Sequence, residues 1–392
     1  MRASGISSKG VKSGTPTGRT GDGLNVGLLP YEDAMRRPGG PLPYEWWYFD
    51  ASFDNGYSAV AILWPMNYAK PWRRQCTLQL SIYAPDGEYA KHYLFPPGRL
   101  FSASCSTCDV RVGASYMRGR HPRYEMRVEA EGDAVDLTFE AETPGWKPGN
   151  AVNILPAPPR YNTMGWLVPL PRARVFGNIT FGGRDIEVTG HGYHDHNWGE
   201  AFIFHYIDNW HWGHVVCGDT GIIWSEITME RSLGWDRTYM FLLSRGDRLV
   251  YEAARIDVAY EDWLDSPEHP MPYPRTITVS FGKPGDTASG RFTMSVQSVV
   301  ETQNLLDMAG VPPLLQRVVN RRLARPYYFR WRSTVTGEVT VGGESIPLEC
   351  ETIHEQMLFR GRRPAIDAVC TRGQTPLLHY PVDGAREGSL EE

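Results

Sequence analysis

The sequence predicts a mainly all-β protein of antiparallel barrels or sandwiches, divided into two units, with one short helical segment near residues 304–324. Three observations predict it. Apolar and polar residues alternate with period two, as in Tyr124, Met126 and Val128 against Glu125, Arg127 and Glu129. That period puts one residue set on one face of a strand. Turn signals separate the alternating stretches: Asp86-Gly87, Gly132-Asp133, Gly182-Gly183 and Gly342-Gly343. No strand–helix–strand rhythm appears, and there is no Gly-x-Gly-x-x-Gly, P-loop or Gly-x-Ser-x-Gly motif, which argues against nucleotide cofactors and serine hydrolysis.

Taken in order, residues 1–27 are rich in Gly, Ser, Thr and Lys and read as a disordered tail. Order is expected from Leu28–Tyr31. Strand patterns follow at Val135–Phe139, Val175–Phe181, Ile186–Val188, Ile256–Tyr260, Ile277–Phe281, Phe292–Val296 and Val335–Val341. Between the last two sets lies the helix candidate, Asn304–Ala324, broken at Pro312-Pro313. Leu314, Leu315, Val318, Val319 and Leu323 supply the apolar positions of its second half. The two β-units are placed at 28–200 and 201–371, with a loop-like tail at 372–392.

The chain has 392 residues, 41% hydrophobic and 22% charged, enough to bury a large core. A net charge of −5 gives no basic excess for nucleic acid. With 13 Trp, 20 Tyr and 14 Phe, the chain calls for either a tryptophan-rich β-core or an aromatic-lined cavity for a greasy or cationic ligand. The first twenty residues lack the apolar stretch of a secretory signal, and no 18-residue apolar run suggests a membrane span. Of six cysteines, Cys105 and Cys108 form a lone Cys-x-x-Cys without a second pair, too little for structural zinc. The cysteines read as reduced, in a cytoplasmic protein.

Six of the eleven histidines fall between His191 and His214, and HGYHDHNWGE at 191–200 is the densest stretch. On a strand His194 and His196 share a face, as metal ligands often do. With Glu200 they make His-x-His-x-x-x-Glu, a partial cupin pattern. Val188 and Ile207 stand where its glycines belong, and no second half-motif follows. No metal or other cofactor is therefore expected. A structural corner held by satisfied polar groups is the second reading. The third is acid–base. Asp195, Glu200, Asp208 and Glu226 are interleaved with Trp198, Trp210, Trp212 and Trp224. Indoles desolvate a neighbouring carboxylic acid and raise its pKa, and their faces stabilise carbocations. In Gly221–Glu230, Ile222, Trp224, Glu226 and Thr228 share one face, while Ile223, Ile227 and Met229 look like plain core. Glu226 is therefore the leading acid candidate.

A second motif, Glu45-Trp46-Trp47-Tyr48-Phe49-Asp50, lies far upstream. The pair EWWYFD and GYHDHNWG resembles the carotenoid 1,2-hydratase (hydroxyneurosporene synthase) family, part of a lipocalin-like group that also resembles fungal Diels–Alderases. The resemblance implies two lipocalin-like domains meeting at an aromatic cavity, and cofactor-independent chemistry on an isoprenoid or polyene. An acid protonates a double bond, and water or an internal alkene captures the cation. It implies roles for His196, Trp198, Trp224 and Glu226, although the family pattern has tyrosine and aspartate where this chain has Trp224 and Glu226. Catalytic candidates are thus Glu226, Asp195, His196, Trp198 and Trp224. Substrate-wall candidates are Trp47, Tyr48, Trp64, His194, Trp210 and Trp212. Gly192–Gly199 is expected where the two units meet, with His196 and Trp198 facing the cavity. The alternatives are a pericyclase on the same scaffold and a non-enzymatic lipid or pigment carrier. The partner is a hydrophobic small molecule. Its insolubility leaves peripheral membrane contact open, and the oligomeric state is not specified.

Overall fold

The computed structural model describes residues 12–13, 28–39, 43–148, 152–157, 160–200, 203, 206–231, 235–265, 272–283, 285–308, 310–322 and 325–359. Among these, thirteen strands form one antiparallel sheet and nine a second. Each sheet curls into a half-barrel. In the first, a meander runs through Tyr44–Phe53, Ser58–Trp64, Thr77–Tyr83 and Tyr89–Leu94. The chain then returns from Phe101–Ala103 through Asp133–Ala141 and Arg160–Phe181 to Arg184–Gly199, which lands beside Tyr44–Phe53. The second sheet repeats this plan. Its meander begins at Ile207–Cys217, and its last strand, Glu344–Leu358, lies beside that first one. The EWWYFD and HGYHDHNWG segments are therefore direct neighbours, with Trp47 opposite His196 and Phe49 opposite His194.

The strand periodicity expected from sequence is present, but both faces of the central strands are covered. All ten residues of Thr220–Met229 are buried. Three apolar layers explain this. Phe49, Phe139 and Val175 fill the first half-barrel. Trp224, Phe292 and Trp331 fill the second. Tyr48, Trp166, Tyr193, Trp212 and Met240 form a third layer between the sheets. Each fully buried large side chain contributes about 1.5–3 kcal/mol. Polar bonds cross the middle layer as well: Trp146 Nε1 donates to Glu252 Oε2 at 2.7 Å.

Local sequence accounts for the irregularities. Pro169 and Pro171 cannot donate to a ladder, and the pairing of Arg160–Phe181 with Arg184–Gly199 shifts register on either side of Leu170. The helical segment is divided as expected, into Leu305–Met308 and Pro313–Arg322, with proline opening the second helix. The expected tail at 372–392 lies outside the described residues. So does most of 1–27; Lys12 and Ser13 pair with Ile154 and Asn153. No helix among the described residues is long and apolar enough to cross a membrane.

Candidate active site

Strand alternation decides which side chains meet between the sheets. On Tyr44–Phe53, Trp46 and Tyr48 point to the middle layer while Trp47 and Phe49 fill the first half-barrel. On Arg184–Gly199, Asp195 and Asn197 share the middle layer with Tyr193, and His194 and His196 turn the other way. The middle layer holds a partly open cavity of about 70 Å³. Trp46, Tyr48, Trp166, Asp195 and Asn197 line it from the first sheet; Trp210, Trp212, Ser225 and Glu355 line it from the second.

Asp195 is buried in this wall. Its Oδ2 accepts from Trp166 Nε1 and Tyr193 OH, both at 2.9 Å, and its Oδ1 accepts from Asn197 Nδ2 at 2.8 Å. Burial raises its pKa from 3.8 to about 7; the Trp166 and Tyr193 donors oppose the rise, while the charges of Glu355 and Asp50 add to it. Glu355 faces the same space. Its Oε2 accepts from Arg330 Nη2 at 3.0 Å and from the Tyr328 hydroxyl. Burial raises its pKa, and Arg330 holds the rise back. Arg330 also donates to Tyr83 OH at 3.2 Å, and Tyr83 donates to Glu301 Oε2 at 2.6 Å, so a polar chain spanning both sheets fixes Glu355. The buried Trp212 Nε1 has no acceptor among the described residues. A cavity with two raised carboxylic acids, four indoles and one unmatched N–H can donate protons and shelter a cation.

The histidines belong to another cluster, inside the first half-barrel. His194 Nδ1 donates to the Tyr48 carbonyl at 2.9 Å, which turns Nε2 to Asp33 Oδ2 at 3.0 Å. His196 lies 3.0 Å from Glu45 Oε1 and 3.4 Å from Asp33 Oδ1. Burial alone would lower the His196 pKa, but Asp33 and Glu45 outweigh it and raise it. Asp33 is held low against its own burial by the two imidazoles. Trp47 stacks on His196 and Phe49 on His194. Cys108 joins Asp33 and His194 to bring three metal-type ligand atoms within 4.8 Å of one another. This trio could hold an ion, although its oxygen and nitrogen already engage each other. Cys105 is exposed, so the Cys-x-x-Cys pair is split between core and surface.

Glu226 lies on the far face of its strand, in the second half-barrel. It accepts from Arg237 Nη1 at 3.3 Å and Tyr260 OH at 3.4 Å. Burial raises its pKa, and Arg237 with Tyr239 and Tyr260 counters this. Nearby, His211 Nε2 meets His354 Nδ1 at 3.0 Å, and His354 Nε2 meets Ser333 Oγ at 2.8 Å. Burial lowers both imidazole pKa values, His354's to about 3.

No family model matches the chain. Hydroxyneurosporene dehydrogenase of Chlorobaculum tepidum is 23% identical over 272 residues, 59% of this chain and 70% of that protein. Quinolone epoxide rearrangement protein penF of Penicillium thymicola is 22% identical over 158 residues, 38% of this chain and 41% of that one. Among solved structures, CghA with Sch210972 has a TM-score of 0.61 at 12% identity, covering 88% of this chain and 98% of its own. Kievitone hydratase from Nectria haematococca has a TM-score of 0.57 at 14% identity, covering 86% and 95%. In sequence the chain is similar to hydroxyneurosporene dehydrogenase, and in fold to CghA and kievitone hydratase.

The expected site residues separate into three sets. Asp195, Tyr48, Trp210 and Trp212 come together at the cavity. His194, His196, Trp47 and Trp198 do not. The first three face the first half-barrel, and Trp198 packs over Gly165 and under the Arg36 guanidinium. Glu226 and Trp224 lie in the second half-barrel, and half-buried Trp64 does not line the cavity. The expected convergence of Glu226 with His196 and Trp198 is therefore corrected: each side chain sits on the strand face opposite the cavity. His205 lies outside the described residues. Sequence reasoning missed Glu355, Arg330 and Trp166. Glu355 offered one signal, since Glu355 and Met357 share a face that His354 and Gln356 do not.

Proposed function

We propose that the chain is an enzyme of the lyase or isomerase type. It works in the cavity between the sheets, on a hydrophobic isoprenoid- or polyene-like small molecule, by transferring a proton from Asp195 to a carbon–carbon double bond. The observation that carries the proposal is Asp195 itself, a buried acid with a pKa of about 7 in a wall of indoles. A general acid works best when its pKa lies near the working pH. The three donors on its carboxylate stabilise the charge left after the proton departs. The proton forms the new C–H bond, and the positive charge moves to the other alkene carbon, facing the tryptophans. Water capture makes a hydratase: the attacking water forms the C–O bond and returns one proton to the Asp195 carboxylate, which restores the acid. Capture by an internal alkene makes a cyclase. The proposal uses no cofactor. A hydratase and an epoxide rearrangement protein among the similar proteins agree with chemistry of this kind.

The test is turnover of a panel of isoprenoids and polyenes in D2O. One deuterium on carbon per product is expected, and Asp195→Asn should slow the reaction about 10²–10⁴-fold. A product without carbon-bound deuterium, formed at an undiminished rate by Asp195→Asn, sinks the proposal. One observation favours a second reading. Trp212 Nε1 and a protonated Asp195 are two donors that could polarise a carbonyl for a cycloaddition, in which preorganisation does most of the work. That pericyclase leaves no deuterium on carbon and responds to Trp212→Phe as much as to Asp195→Asn.

A further inference from the structure

The layer between the sheets reaches the surface at half-buried Trp46, Tyr68 and Val300. Two surface segments continue from this rim. One is the turn from Lys70 to Arg74, just beyond Tyr68. The other is the helix Pro313–Arg322, which follows the strand carrying Val300. They adjoin: the Lys70 ammonium lies 2.8 Å from where a β-carbon on Gly310 would sit. Both present large apolar groups to solvent, with Trp72 73% exposed, Leu314 76%, Leu315 53% and Val318 51%.

The helix holds its apolar arc outward. Leu314, Leu315 and Val318 fall within about 100° of the wheel. Gln316, roughly opposite Leu314, ties the helix to the protein through Asn304 Nδ2 at 3.0 Å and through Asp307 Oδ1 and the Val311 carbonyl at 2.7 Å each. Single exposed apolar residues are ordinary, but four on adjoining segments are not scattered. Arg73, Arg74, Arg317 and Arg325 are exposed around them and have no ion-pair partner among the described residues. Exposed Asp307 is engaged by Gln316. The chain as a whole carries −5, so this basic rim runs against the overall sign and selects an anionic partner. Protruding leucines, a tryptophan and arginines on a short helix suit the headgroup region of a bilayer.

We propose that Lys70–Arg74 and the helix Pro313–Arg322 form a docking surface for an anionic lipid membrane. Docking sets the rim of the inter-sheet cavity at the bilayer, so that a hydrophobic ligand can enter without crossing water. The inference goes beyond the proposed chemistry and is measured without turnover, so either can fail alone.

The test is co-sedimentation of the full-length protein with vesicles of phosphatidylcholine alone or mixed equally with phosphatidylglycerol. Binding to the mixed vesicles is expected, weakening as salt rises. Arg73→Glu and Arg317→Glu should each weaken it at least about five-fold, the effect of losing one basic group near such a surface. Trp72→Ser with Leu314→Ser and Leu315→Ser should abolish it even at low salt, with an unchanged thermal midpoint showing the fold intact. Equal binding to both vesicle types, or full binding by the triple variant, overturns the proposal. So does binding that appears only after residues 360–392 are removed, which would assign the patch to the chain's own tail. A variant-sensitive dimer without vesicle binding would assign it to a second copy.

Discussion

Replacing Asp195 by asparagine removes an ionisation that burial in the cavity makes costly. Its pKa rises from 3.8 to about 7 on folding. Between those values the folded protein keeps a proton that the unfolded chain has released. Stability therefore falls as pH rises through this window. A shift of about three units at 1.36 kcal/mol each gives about 4 kcal/mol, and burial is complete enough that solvent screening takes little from it. An asparagine amide in that place cannot ionise. The Asp195→Asn variant should gain about 4 kcal/mol on the wild type between pH 4 and pH 8, with most of the change between 4 and 7. Rearranged hydrogen bonds to Trp166, Tyr193 and Asn197 add a cost of about 1–3 kcal/mol that is the same at every pH. The slope of the difference is therefore the measurement, not its absolute value. Urea unfolding of both proteins at half-unit pH steps provides it. A stability difference flat from pH 4 to 8 would falsify the assignment of Asp195 as an acid that keeps its proton well above the usual carboxylate range.

Three further outcomes are expected. Glu226→Gln should retain turnover within several-fold of wild type, because Glu226 faces the second half-barrel, yet should destabilise by about 1–3 kcal/mol through its partner Arg237; complete loss of turnover in a folded variant would return the acid role to Glu226. His196→Ala leaves Asp33 and Glu45 without a shared cation and should cost about 3–5 kcal/mol. Because the folded pKa of His196 is raised, that contribution is full below about 6.5 and fades as pH rises through its raised value, so the variant's deficit in denaturant unfolding should shrink in alkali. Gly165→Ala places a β-carbon 2.1 Å from the Trp198 ring and should lower stability by about 1–3 kcal/mol, read as a lower thermal midpoint.

The β-architecture was legible because it rests on local chemistry. Glycine turns and period-two alternation mark strands such as Arg123–Ala130 and Asp133–Ala141, whose outward faces are polar. The split helix was legible from Pro312-Pro313. The pairing of EWWYFD with GYHDHNWG was legible only as resemblance, since strands so far apart in the chain meet through topology alone.

Strands buried on both faces are where the sequence stops placing side chains. On Thr220–Met229, alternation separates Glu226 from Ser225 and Ile227, but it does not say which set meets the cavity. The same holds on Arg184–Gly199, where Asp195 and His196 point to opposite faces and both are buried. By itself the sequence determined the residue sets: Asp195 with Asn197, His194 with His196, Glu226 with Trp224. The tertiary structure decided their destinations, because closing two sheets against each other makes three interiors, and only the middle one joins Asp195 of one sheet to Glu355 of the other.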